Sequence, residues 1–151
     1  MYKRILVPLD GSVTAESGLK EAIGLAAAVK AHLTLLHVVD DFSMMVEMSS
    51  VASYPDMLDG LRKYGQGVLD KAKRAAAELG VQADTTLREV MQARISDVIV
   101  DETKKQSCDL IVMGTHGRRG FSRLTMGSNA EAIVRISPVP VLLVRQEEPR
   151  K

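Results

Sequence analysis

With a single cysteine, Cys108, the chain can form no internal disulfide, and a reducing, cytoplasmic location is the expectation that follows. Neither sign of charge dominates: Lys plus Arg number 20 and Asp plus Glu 19, which leaves no basic field for nucleic acid and no polybasic patch for a membrane surface. No apolar run approaches the roughly 18–20 residues of a membrane span. The opening "MYKRILVPLDGS" has no signal-peptide h-region, because its apolar stretch is short and enters a turn. His32, His37 and His116 have no metal-ligand spacing with Cys108 or with one another, so a zinc site is not expected. Internal repeats and low-complexity segments are also missing. What remains is an ordinary globular composition, 46% apolar and 26% charged, in 151 residues, enough for one domain with a proper core. We take residues 1–146 as that domain and 147–151 as a polar tail.

Apolar runs and helical periods alternate along the chain. "RILVPLD" (Arg4–Asp10) reads as a buried strand ended by an Asp-Gly-Ser turn. Ser12 or Thr14 can cap the helix that follows, with Glu16 in its first turn. Leu19, Ala22, Ile23 and Ala26 give that helix a buried face, and it ends near Lys30. His32–Val39 is the second strand. Phe42–Pro55 holds Met44, Met45 and Met48 with no clean period and reads as a long connection or flap. The helical period returns from Leu58 and stops at Gly80, placed as a C′ glycine. A third strand is expected at Gln82–Glu89, a helix at Gln92–Gln106 and a fourth strand at Asp109–Met113. A helix from about Ser128 to Ile136 and a last strand at Pro138–Arg145 close the pattern.

Five strands alternating with four helices predict an α/β fold. It is a single doubly wound domain: a five-stranded parallel sheet, order 3-2-1-4-5, with helices on both faces. In that order strands 1 and 4 are neighbours at the switch point, where ligands bind beyond the carboxyl ends of the strands. Two loops then face one crevice: "PLDGS" after strand 1 and "GTHGRRGFSRLTMGS" after strand 4.

The second loop has the composition of an anion cradle. Four glycines and three arginines (Arg118, Arg119, Arg123) lead into a helix whose first N–H groups lack intrahelical partners and carry partial positive charge. Neither common phosphate signature fits: no Gly-Lys-Ser/Thr occurs, and no G-x-G-x-x-G follows the first strand. The spacing present is Gly114-x2-Gly117-x9-Gly127-Ser128, between the fourth strand and the fourth helix. In spacing and position it resembles the G-x2-G-x9-G-[ST] pattern of the universal stress protein family, the branch that binds ATP. "ILVPLDGS", "LLHVVD" and "SPVPVLLVR" resemble that family's first, second and last strands, so the resemblance covers essentially the whole chain.

The resemblance implies ATP, with Mg²⁺, as the ligand. It implies that Pro8, Asp10 and Val38 lie beside the adenosine and that Met113 and Gly114 end strand 4 beside the nucleoside. It assigns Gly117, Gly127, Ser128 and Asn129 to the phosphates. Asn129 departs from the Val or Thr of many members, but the backbone N–H is what a phosphate needs there. "EVMQAR" after the third strand also departs, lacking a glycine common in relatives. The residues alone leave Asp10 open between a ribose contact, a cation contact and a turn cap. They leave the three arginines open between phosphate contacts and solvated surface. The expected function is a nucleotide-dependent regulatory or binding module in stress response. The alternative is a slow ATPase or phosphoryl-transfer enzyme, ranked lower because no general base is evident. The last strand is an edge, apolar on both faces, and the expectation is a homodimer through Val139 to Arg145, which the resemblance also implies.

Overall fold

The computed structural model describes residues 1–40, 54–115 and 126–146. The methionine cluster, the centre of the glycine loop (His116, Gly117 and all three of its arginines) and the tail lie outside the described residues. The elements run β1 (Arg4–Pro8), α1 (Val13–Val29), β2 (His32–Asp40), α2 (Tyr54–Glu78) and β3 (Ala83–Val90). They continue with α3 (Ile95–Lys105), β4 (Leu110–Gly114), α4 (Ser128–Ile136) and β5 (Val141–Val144). The sheet is parallel throughout, in the order β3-β2-β1-β4-β5, as the alternation predicts.

The helix ends follow from local chemistry. Ser12, not Thr14, caps α1: its Oγ accepts the Ala15 N–H at 3.1 Å, while Thr14 is already inside the first turn. Helix α2 begins at Tyr54, four residues before the apolar period becomes legible at Leu58. Pro55 fits a first helical turn, where its missing N–H has no partner to lose, and Asp56 favours the positive helix end. Gly80 ends α2 with φ +71°, and Val81 N–H reaches back to Ala76 O at 3.0 Å, a Schellman closure. Helix α3 starts at Ile95 rather than Gln92, because Gln92 has φ +66°, outside helical geometry.

Strand alternation sorts the core into two layers. Ile5, Val7, Leu33, Leu35 and Val112 face α1 and α2, packing on Ala22, Ile23, Ala26, Leu69, Ala72 and Ala76. Leu6, Leu36, Ile111 and Met113 face the other way, against Ile99 of α3 and Ala130 and Ile133 of α4. Each fully buried Leu or Ile contributes about 1.5–3 kcal/mol, so the three central strands, covered on both faces, form the rigid frame. The two edge strands are less covered, and Leu142 of β5 is 37% exposed. On the α3 side, Arg88 of β3 donates to Glu102 at 2.7 Å and to Asp101 at 3.1 Å, and Gln106 donates to Glu102 at 2.8 Å. These bonds satisfy a carboxylate that is almost wholly buried.

Candidate functional site

Parallel pairing brings the carboxyl ends of β1, β2 and β4 to one level. Leu6 stands opposite Ile111, and Pro8 opposite Leu36. Two residues further along the same register, Pro8 reaches the level of Met113. Val38 lies two residues past Leu36, and Val38 and Met113 share the sheet face covered by α3 and α4. Pro8, two beyond Leu6, shares that face by alternation. Pro8, Asp10 and Val38 are half-buried and Met113 is buried. Four of the candidate residues therefore gather where β1, β2 and β4 end.

Beyond β1 the chain makes a tight turn. Asp10 Oδ1 accepts the Ser12 N–H at 2.9 Å, an Asx turn, and Gly11 takes φ +83°, which L side chains rarely adopt. The cap reading of Asp10 thus has a bond behind it. Leu9 N–H donates to Leu36 O at 2.8 Å, and His37 donates its Nδ1–H to Leu9 O at 2.7 Å, so β2 fixes the start of the turn.

Beyond β4, Gly114 is held against the first turn of α1. A Cβ built on Gly114 would lie 2.5 Å from Thr14 O and 2.7 Å from Thr14 C, and one built on Gly18 would lie 3.0 Å from Gly114 N. The two glycines let helix and strand backbones meet. Thr115 N–H then donates to Val144 O at 3.0 Å, and Gly127 N–H donates to Thr115 O at 2.8 Å. Both ends of the glycine loop are thereby pinned at the end of β4, and Gly127, Ser128 and Asn129 open α4 beside the same strand. Gly117 lies outside the described residues.

Two helix N-termini thus adjoin the end of β4, and they differ. Helix α1 satisfies its own end with the Ser12 hydroxyl and carries Glu16 in its first turn. Helix α4 has Gly127 as its N-cap, with no side-chain cap bond, and its first intrahelical bond is Glu131 N–H to Gly127 O at 3.0 Å. The N–H groups of Ser128, Asn129 and Ala130 precede that bond, at the positive end of the helix. Ser128 and Asn129 are exposed. Among the described residues no group of three or more His, Cys, Asp or Glu is placed to hold a metal. Cys108 is buried away from this end; burial pushes its thiol up, and the neighbouring Thr34 hydroxyl partly offsets the shift. A separate hollow of about 480 Å³ lies at the amino ends of the strands, between His32, Lys73 and Asp84. It is open, and its His32 and Asp84 already pair at 2.7 Å.

Sequence reasoning passed over Gly18, Tyr64 and Thr115. The glycine inside the α1 period was the available signal for a close backbone approach. Tyr64 and Thr115 had none, since their roles depend on tertiary contacts.

A doubly wound sheet with a glycine-capped helix N-terminus at its switch point defines a class of open α/β proteins. Within that class the chain belongs to the universal stress protein family, whose family model matches residues 1–145. It is 36% identical over 146 residues to a universal stress protein of Methanocaldococcus jannaschii, covering 97% of this chain and 84% of that one. A solved structure from the family, from Burkholderia pseudomallei, superposes with a TM-score of 0.78 at 33% identity, covering 95% and 96% of the two chains. Two more distant structures share the fold. One, from Archaeoglobus fulgidus, is a complex with dAMP (TM-score 0.66, 21% identity, 95% and 98% covered). The other is a complex with cAMP (TM-score 0.68, 20% identity, 97% and 98% covered).

Proposed function

We propose that this protein binds an adenine nucleotide, ATP, at the carboxyl ends of β1, β2 and β4, and acts as a nucleotide-dependent binding module in stress response. The observation that carries the reading is the contrast between the two helix ends: α1 is capped by its own side chain, while α4 opens on glycine with no side-chain cap bond. An anion is the natural partner for such a helix end. The dAMP and cAMP complexes of two relatives in fold support the choice of adenine nucleotide.

In this reading Val38 and Met113 offer apolar contact to the base, beside Pro8. Asp10 accepts from a ribose hydroxyl while it holds its turn. The backbone N–H groups of Ser128 and Asn129 and the Ser128 hydroxyl receive phosphate oxygens, and Gly127 and Gly117 keep the approach clear of Cβ atoms. Mg²⁺ fits as a cation carried on the phosphates with at most a carboxylate or two from the protein, and Asp10 is an acidic candidate at this site. The metal would neutralise phosphate charge, and the residues named above bind and orient the nucleotide. Phosphoryl transfer has no observation of its own among the described residues.

Edge strand β5 is the proposed homodimer contact, over Val139 to Arg145. Leu142 of β5 and Val134 and Ile136 of α4 are exposed apolar side chains in the same part of the fold. No helix among the described residues is long and apolar enough to cross a membrane.

The test is direct titration with ATP. Gly127→Val should weaken binding by about 10–100-fold, the worth of a hydrogen bond or two to a charged group. Unchanged affinity in a folded variant would displace the phosphate site from α4.

A further inference from the structure

The turn after β1 is braced from behind, on the sheet face away from α4. Three consecutive residues are involved. Leu9 O accepts from buried His37 at 2.7 Å. Asp10 O accepts from the Tyr64 hydroxyl at 3.4 Å. Gly11 lies against the hydroxyl end of Tyr64, because a Cβ there would collide with the Tyr64 hydroxyl and stand 3.0 Å from Cζ. The two braces are themselves joined. The His37 and Tyr64 rings meet edge to face, with centroids 6.1 Å apart and planes at 70°. Gly65 lets α2 lie on the imidazole: a Cβ at that position would stand 2.9 Å from His37 Nε2 and 2.8 Å from a Leu87 methyl. Gly11 therefore has two reasons to be glycine, its positive φ and the Tyr64 hydroxyl against it.

We infer that Tyr64, seated on His37, is a positioning residue that holds the Asp10–Ser12 turn in the conformation that meets the nucleoside. The inference rests on the adenine-nucleotide reading and names what regulates that site: the seating of α2. Tyr64 is assigned no ligand contact in this reading. It acts through the backbone of Asp10 and Gly11, and Asp10 Oδ1 is in turn committed to the Ser12 N–H at 2.9 Å. Without the Tyr64 side chain, the turn at φ +83° loses this brace and samples other conformations. Apparent affinity then falls in proportion to the competent fraction, so a drop of that fraction to about a tenth raises Kd about tenfold.

The test titrates the full chain with ATP by calorimetry, for the native protein, Tyr64→Ala, Tyr64→Phe and Gly67→Ala. Amide exchange at Gly11 and Ser12 is followed without ligand. Tyr64 is 42% exposed on an outer helix, so the variants are expected to fold, and circular dichroism checks that they do. Tyr64→Ala should raise Kd about tenfold and speed exchange at both amides. Tyr64→Phe keeps the ring on His37 and removes the hydroxyl that meets Asp10 and Gly11, so its Kd should fall between those of the native protein and Tyr64→Ala. Gly67→Ala, on the same helix with nothing within 4 Å of the added carbon, should keep the native Kd. If the native protein binds ATP and Tyr64→Ala binds it equally well, the positioning role is wrong and the nucleotide reading survives. If the native protein takes up no ATP, the nucleotide reading falls and the positioning role falls with it, whatever the amides show.

Discussion

Gly114→Ala should destabilise the fold by about 2 kcal/mol, within the usual range for an added methyl group that the surroundings cannot absorb. The figure follows from what the new Cβ would meet: Thr14 O at 2.5 Å, Thr14 C at 2.7 Å and Thr14 Cβ at 3.1 Å. Two of these atoms are backbone and cannot escape by changing rotamer. The first turn of α1 cannot retreat easily, since Ser12 caps it and Gly18 already lies against Gly114 N. For a domain of this size the loss corresponds to a fall in Tm of about 4–8 °C. The control is Gly24→Ala, also in α1, where nothing lies within 4 Å of the added carbon. There the gain in helix propensity should stabilise by about 0.5–1 kcal/mol. Urea unfolding of both variants reads the two effects with opposite sign. A Gly114→Ala midpoint equal to the native one would refute the close packing of β4 on α1, and with it the argument that this contact fixes the end of β4.

Other consequences follow from the charged groups. Arg88→Met strands the buried Glu102 carboxylate with Gln106 alone; because Arg88 is partly solvent-exposed, the expected cost is about 2 kcal/mol, below the range for fully buried pairs. Arg88→Met with Glu102→Leu should recover most of it in the same urea assay, and a neutral single variant would contradict the assigned burial. Toward low pH, Glu89, lowered chiefly by its hydrogen bonds from Arg62, and Asp101, lowered chiefly by Lys105, should both give up stability. Their folded values lie below the ordinary 4.5 and 3.8, so the contribution is intact above those values and lost as pH falls below them. Toward high pH, the raised Cys108 thiol acts in the opposite direction: its contribution is intact below 9.0 and lost as pH rises beyond it. Urea midpoints from pH 3 to 10 should show both limbs, and Arg62→Met should flatten the acid one.

The sheet was legible because the central strands are buried on both faces and read as unbroken apolar runs, and because parallel strands require helical crossovers. Strand order needed one further rule, the common order of doubly wound sheets, which makes strands 1 and 4 neighbours at the switch point. The boundaries that shifted did so for local reasons: Pro55 begins a helix before its apolar period shows, and Gln92 sits at positive φ where periodicity alone would run a helix. Asp10, Val38, Met113 and Gly127 were named as candidates by motif position and family resemblance. Tyr64 was not, because it meets Asp10 across 54 residues of chain through a side chain that periodicity treats as outer helix surface. Gly114 was read as a ligand position, and the structure gives it a packing duty against Thr14 as well.

The central claim is that the glycine-capped end of α4 and the turn after β1 hold an adenine nucleotide. Calorimetric titration of the purified full chain with ATP and Mg²⁺, after removal and identification of any co-purified small molecule, tests it most directly. The account predicts saturable one-to-one binding that weakens in Gly127→Val while the fold persists. A native protein that carries no adenine nucleotide and gives no binding heat with ATP, ADP or AMP would contradict it.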